Sequence, residues 1–286
     1  MTIQPLTKQV LGDGIPIHLA LWDGPGPTVL CVHGLTANCR CWDGLARSLS
    51  PPCKMVAMDL RGRGLSGKPP NGYSVRHHCR DILQVLDDLK LDQPVVMGHS
   101  LGALIAAAFA AWHPERVDRI ILIDGAGALT KEQMDQVMHG IKPSLARLGQ
   151  SFPSMGVFLD LMKKAPFLQP WSPELDHYFG HDVEEVDGVI QSRIDPEHMS
   201  EEIENLKKID AAALYPKIRC PVLILRATDG MLADDDLVLP LSAVNRMCSE
   251  IDQTQYINLT GTNHYSILFQ PNDIRDQTIK TFINAK

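Results

Sequence analysis

Short apolar runs recur along the chain, separated by stretches with helical periodicity, which is the pattern of a largely parallel sheet wrapped by helices. Val29-Leu30-Cys31-Val32, Met55-Val56-Ala57-Met58, Pro94-Val95-Val96-Met97, Ile120-Ile121-Leu122-Ile123 and Pro221-Val222-Leu223-Ile224-Leu225-Arg226 read as buried strands, with Tyr256-Ile257-Asn258-Leu259 as a last one. Near the start, Ile15 to Leu21 alternates and runs into Asp23-Gly24-Pro25-Gly26-Pro27, predicting an antiparallel hairpin at the sheet edge. From about Gly127 to Lys208 the rhythm breaks. Met134, Val137, Met138 and Ile141, then Phe158, Leu159, Leu161 and Met162, recur at helical spacing, and Phe167, Trp171 and Tyr178 add aromatic bulk. This stretch reads as helical, with no convincing buried strand. The expected organisation is a core of residues 1–126 and 209–286, with a helical cap of residues 127–208 inserted after the sixth strand.

One turn in this pattern carries chemistry. Gly98-His99-Ser100-Leu101-Gly102 follows the strand at Pro94 to Met97 and precedes the small-residue stretch Ala103 to Ala111, the context of a nucleophile elbow. A serine hydroxyl is a poor nucleophile at neutral pH, so a base must reach it and N–H groups must await the oxyanion. A sharp strand-to-helix turn supplies the exposure, and the helix that begins there points unsatisfied N–H groups at developing negative charge. The candidate companions occur in order. His33-Gly34-Leu35-Thr36 follows the strand at Val29, and the Leu35 and Leu101 amides are the candidate oxyanion donors. Asp59-Leu60-Arg61-Gly62-Arg63-Gly64-Leu65-Ser66 follows the strand at Met55, and Thr262-Asn263-His264-Tyr265 supplies His264 as general base.

With these motifs the chain resembles an α/β-hydrolase of the esterase, lactonase and epoxide-hydrolase-like branch, from about Val29 to the C-terminus. The resemblance implies a mostly parallel eight-stranded sheet flanked by helices and a serine acyl-enzyme chemistry. Haloalkane dehalogenases and epoxide hydrolases of this superfamily place aspartate at the nucleophile position, so Ser100 argues against both. In most relatives the acid that orients the histidine follows the seventh strand. Here Ala227-Thr228-Asp229-Gly230 follows that strand; glycine stands where the acid belongs and Asp229 comes one residue early. The alternative is Asp124, which closes the strand at Ile120, a position used by a minority of the superfamily. Asp124 is preferred, with Asp229 left open.

Other polar residues read more plainly. His99 is expected to pack behind the elbow and His33 to hold the oxyanion loop by hydrogen bonding. Cys39 and Cys41 with His77, His78 and Cys79 lack paired metal-ligand spacing, so no zinc site is expected from them. Arg61 and Arg63 are expected to order their own turn. Asp182, Glu184, Glu185 and Asp187, Glu201, Glu202 and Glu204, and Asp234 to Asp236 are read as solvated faces or a helix start.

The 286 residues, 44% of them apolar and 21% charged, suffice for one large core with an insertion. A net charge of −7 argues against nucleic acid or an anionic membrane as partner. Seven cysteines, an odd number, and an opening Met1-Thr2-Ile3-Gln4-Pro5 without a secretory pattern lead to the expectation of a cytoplasmic protein. The expected function is a cofactor-independent, metal-free serine hydrolase that cleaves esters or lactones of small, largely uncharged apolar substrates, acting as a monomer or homodimer. The alternatives are amide or carbon–carbon bond hydrolysis by the same residues, a small-molecule receptor, or a cofactor-free lyase or oxygenase.

Overall fold

The computed structural model describes residues 4–50 and 52–285; the opening Met1 to Ile3 lies outside them. Eight strands form one sheet: β1 (Leu6–Leu11), β2 (Pro16–Trp22), β3 (Thr28–Val32), β4 (Lys54–Met58), β5 (Val95–His99), β6 (Arg119–Ile123) and, after three short strands, β10 (Val222–Ala227) and β11 (Thr254–Leu259). Their order is β1-β2-β4-β3-β5-β6-β10-β11. The β1–β2 hairpin turns at residues 12–15 and pairs antiparallel with β4, and every pairing from β4 to β11 is parallel. The alternating segment from Ile15 therefore supplies the second arm of the edge hairpin, ahead of the Asp23 to Pro27 turn.

Because successive side chains point to opposite faces of a strand, each central strand feeds two apolar layers. Leu30 and Val32 enter one and Val29 and Cys31 the other. The first layer is closed by α2 (Val75–Leu89), α3 (Leu101–Trp112) and α9 (Leu241–Glu250), the second by α1 (Asp43–Leu49) and α11 (Asp273–Ile283). Ten of the twelve residues of α3 are buried, and its run of alanines combines high helix propensity with side chains small enough to lie close on the sheet. Phe109 is its one large anchor, fully buried; truncation to Ala would cost roughly 3–5 kcal/mol. Among the described residues no helix is long and apolar enough to cross a membrane.

Between β6 and β10 the chain leaves the sheet and forms α4 (Lys131–Gly140), α5 (Lys142–Ala146), α6 (Met155–Met162), α7 (Pro173–Asp182) and α8 (Pro196–Leu206). It also contains a small sheet, in the order β7-β9-β8, of β7 (Ser151–Phe152), β8 (Val183–Val186) and β9 (Val189–Ser192). The insertion, expected to be helical with no convincing buried strand, thus carries three short strands that are mostly not buried. The reversal is Asp187-Gly188, both with positive φ (50° and 79°), the backbone that a two-residue hairpin of matching twist requires. The short helix α10 (Ser266–Phe269) begins two residues after His264.

Candidate active site

The elbow between β5 and α3 holds Ser100 at φ 57° and ψ −119°. A non-glycine residue in that region costs on the order of 1–3 kcal/mol and persists only where the surroundings fix it. Here the Ser100 N–H donates to the Ile123 carbonyl (3.0 Å) and its carbonyl accepts from Ala103 N–H (3.0 Å). The two flanking glycines make the turn possible. A Cβ on Gly98 would lie 2.0 Å from the Gly102 carbonyl oxygen, and one on Gly102 would lie 2.0 Å from that of Val32.

His33 aims the neighbouring loop. Its Nδ1–H donates to the Gly34 carbonyl (2.8 Å) and its Nε2 accepts from Leu60 N–H (2.9 Å), which fixes a neutral tautomer; burial pushes its pKa down to about 4. The Gly34–Leu35 peptide is planar and trans, so holding the Gly34 carbonyl toward His33 turns the Leu35 N–H the opposite way. Arg63 Nε donates to the Leu35 carbonyl (3.1 Å) and Arg147 Nη2 to that of Thr36 (2.8 Å), clamping the loop from two sides. Among the described residues neither the Leu35 nor the Leu101 amide has a protein acceptor, and both residues line the same cavity as Ser100.

His264 lines that cavity too, and its Nδ1 meets Asp124 Oδ2 at 2.8 Å. Asp124 sits directly after β6 at φ 45°, and its other carboxylate oxygen accepts from Ala227 N–H (3.1 Å). Asp229 is exposed; its N–H donates to the Thr262 carbonyl (2.9 Å) and its carboxylate accepts from the Thr228 hydroxyl (2.8 Å). Of the two candidate acids, the structure brings Asp124 to His264. His99 packs its ring 4.4 Å from that of His264 and donates from Nε2 to the His264 carbonyl (2.9 Å). Burial and the neighbouring His264 push the His99 pKa well down, so its imidazole is neutral and supports the His264 backbone.

The cavity measures about 670 Å³. Gly34, Ser100 and His264 line it at the strand ends, with Met134, Val137, Met138 and Ile141 of the α4 region and Tyr178 of α7 facing them. The other aromatic side chains of the insertion pack elsewhere. Trp171 stacks on Phe179 (5.5 Å), and Phe158 joins Phe152 and Phe179 in the apolar layer that contains α1 and α11. Four charged lining residues, Lys131, Asp135, Lys207 and Asp210, are exposed.

Several polar residues differ from their expected solvated roles. Asp182 is buried, paired with Arg147 Nε (3.1 Å). Glu202 is buried between Arg63 and His78 (2.6 Å to His78), and Asp236 accepts from the Met231, Leu232 and Ala233 amides instead of facing water. Arg61 does order its turn, through Asp81 (2.7 Å) and the Gly72 carbonyl (2.8 Å). The cysteines and histidines weighed as zinc ligands part company: His77 meets Ser74, His78 meets Glu202, Cys79 meets the Ile105 carbonyl, and Cys39 meets His181.

The model of the α/β hydrolase fold family matches residues 27–271. A 2-(acetamidomethylene)succinate hydrolase of Mesorhizobium japonicum is 26% identical over 272 residues, covering 92% of this chain and 90% of that protein. The crystal structure of E-2-(acetamidomethylene)succinate hydrolase superposes with a TM-score of 0.85 at 24% identity, covering 98% of this chain and all of that one. The enol-lactonase from Burkholderia xenovorans superposes at 0.73 with 19% identity, covering 97% of this chain and all of that one. The elbow, the His-Gly loop and the parallel sheet that carries them thus agree with the family match, and the chain belongs to the α/β hydrolase fold family.

Proposed function

We propose that this hydrolase is a serine hydrolase in which Ser100 attacks a carbonyl, His264 takes and returns the proton, and Asp124 fixes the histidine tautomer. The supporting observation is that Ser100 and His264 line one cavity while the Asp124 carboxylate occupies His264 Nδ1 at 2.8 Å. With Nδ1–H held by the carboxylate, Nε2 is the nitrogen left to act as base. The Leu35 and Leu101 amides bind the tetrahedral oxyanion, a contribution of about a hundred- to a thousandfold in rate for one donor. Attack forms the ester bond to Ser100 and expels the alcohol, which takes its proton from His264; water then repeats the sequence and releases the acid. No cofactor is needed in this scheme.

The substrate is a small carboxylic ester or lactone with an uncharged, apolar acyl or alcohol part. The Met, Val, Ile and Leu lining favours such a group. The name of the Mesorhizobium relative brings in a second reading, amide cleavage of a dicarboxylate. Charge weighs against it here: Lys131 and Lys207 are accompanied by Asp135 and Asp210, and buried Arg147 is committed to Asp182. Residues 127–208 are the proposed cap over this site. A cytoplasmic location is supported by the absence of a disulfide among the described residues, where all seven cysteines are free.

Turnover of short- and medium-chain p-nitrophenyl esters and of an N-acyl amide, compared between wild type and Ser100→Ala, tests this reading. Ester turnover falling by about 10⁴-fold or more in the folded variant is expected. A wild type inert on every ester but active on the amide would overturn the ester and lactone assignment. Activity that survives Ser100→Ala would overturn the nucleophile.

A further inference from the structure

A second cluster of donor side chains lies apart from the Ser100 cavity, on the seam between the sheet and α7. His18 on β2, Cys39 in the turn after β3, Asp59 directly after β4 and His181 near the end of α7 place four potential ligand atoms within 4.8 Å of one another. The backbone assembles three of them. Asp59 N–H donates to the His18 carbonyl (2.9 Å), and Cys39 N–H donates to Asp59 Oδ1 (2.7 Å). The fourth comes from the insertion: His181 Nε2 lies 2.8 Å from Asp59 Oδ2 and 3.6 Å from Cys39 Sγ.

We propose that His18, Cys39, Asp59 and His181 form a structural zinc site that fastens α7 to the core. The donor set is one thiolate, two imidazoles and one carboxylate, the combination that selects zinc among common divalent ions. Tetrahedral zinc at 2.0–2.3 Å from each donor sets the donors roughly 3.3–3.8 Å apart, so the widest pairs close from at most 4.8 Å and the His181–Asp59 pair opens from 2.8 Å.

Two features favour a ligand over a simple hydrogen-bonded cluster. The His18 side chain is 6% exposed and its ring centroid lies 5.5 Å from that of His181, so two imidazoles meet at one largely enclosed corner beside the Asp59 carboxylate. The Asp59 carboxylate is already aimed by two backbone amides, Cys39 N–H and Leu65 N–H (2.9 Å), the outer-shell support that metal-binding carboxylates use. On binding, the Cys39 S–H bond breaks, its proton passes to solvent and the sulfur–zinc bond forms, so Asp59 and the new thiolate neutralise the dication. Four protein ligands close the coordination shell and leave no position for a reacting water. The effect on the cavity is indirect. Tyr178, one helical turn before His181, lines the cavity, and its carbonyl accepts from Asn38 Nδ2 (3.1 Å) next to Cys39.

The full chain, stripped with a chelator, is titrated with Co²⁺ and then with Zn²⁺. The expected result is one equivalent of cobalt, tetrahedral visible bands and a near-ultraviolet thiolate-to-cobalt band that zinc abolishes. That band should vanish in Cys39→Ser and persist in Cys248→Ser, and His181→Gln should weaken zinc binding at least about tenfold. Saturating zinc should raise the wild-type thermal midpoint by on the order of 5 °C. A wild type with no thiolate band would overturn the proposal whether or not the variants fold. A band that survives in Cys39→Ser would overturn it as well.

Discussion

Two buried histidine–carboxylate pairs in this molecule have almost the same geometry and opposite surroundings. His264 and Asp124 meet at 2.8 Å beside the cavity, and His78 and Glu202 meet at 2.6 Å on the seam between α2 and α8. Glu202 is also held by Arg63, so its charge is matched within the protein. Burial alone would raise its carboxyl pKa, but Arg63 and His78 outweigh burial and hold it at about 2. Among the described residues Asp124 makes no ion pair with an arginine or lysine; one of its oxygens meets His264 and the other rests on a neutral amide. One pair is buried away from the cavity, with His78 Nδ1 left without a hydrogen-bond partner among the described residues, and ties two elements together. The other is open where His264 borders the cavity, and a proton relay needs that opening. A short histidine–carboxylate contact therefore does not by itself identify a catalytic pair; what the other edge of the ring faces decides it.

The contrast is broken most severely by exchanging one carboxylate of each pair for its amide. Asp124→Asn should lower kcat on a p-nitrophenyl ester by about 10⁴-fold while leaving the circular dichroism melt nearly unchanged, and Asp229→Asn should stay within about twofold of wild type. An active Asp124→Asn would remove the distinction between the pairs. Glu202→Gln should do the reverse. It leaves Arg63 buried without its counter-charge, for a loss of roughly 3 kcal/mol or more, read as a thermal midpoint lower by on the order of 10 °C. Ester turnover of the folded fraction should persist.

Acid titration sharpens the contrast further, with smaller effects. In the folded chain Glu202 is held at about 2 against an ordinary 4.5, so the unfolded chain takes up the proton first as pH falls. The stability Glu202 contributes is complete above about 4.5 and disappears toward about 2. His33 acts in a higher window. Burial holds it neutral down to about 4, whereas an exposed imidazole takes its proton near 6.5, so its contribution declines from about 6.5 to about 4 as pH falls. Thermal midpoints should be level above about pH 6.5 and fall in two stages below it. Asp59 is also held at about 2 and shares the lower window, so Glu202→Gln should shrink the lower stage and keep the upper, and a lower stage of unchanged size in that variant would contradict the assignment.

The arrangement around Ser100, proposed above as catalytic, was legible in the sequence because local chemistry writes it. The elbow needs glycine at 98 and 102, the sheet strands are apolar runs, and Asp124 stands where a strand ends. The seam was not legible. Arg63 and Glu202 are 139 residues apart, and Asp59 and His181 are 122 apart, so no periodicity links them, and Glu202 beside Glu201 and Glu204 has the appearance of a solvated helix face. The β8–β9 hairpin is a different matter. Asp187-Gly188 between Val186 and Val189 is a strong two-residue turn signal, hidden because the surrounding glutamates suggested a charged surface.

The proposed placement of the acid after β6 also releases another part of the chain. The loop after β10 has no proton to steer, and residues 232–235 form an exposed tip whose base is pinned by Asp236 through the Met231, Leu232 and Ala233 amides. Ser100 and Asp124, the proposed nucleophile and acid, follow the ends of neighbouring strands, where His99 pairs with Ile123, and neither belongs to that loop. Extra residues spliced between Asp234 and Asp235 would lengthen the molecule at an exposed tip whose one side-chain tie to α4, among the described residues, is Gln136 Nε2 donating to Asp235 (2.9 Å), which makes that tip a natural seat for a fused domain or a new chain terminus.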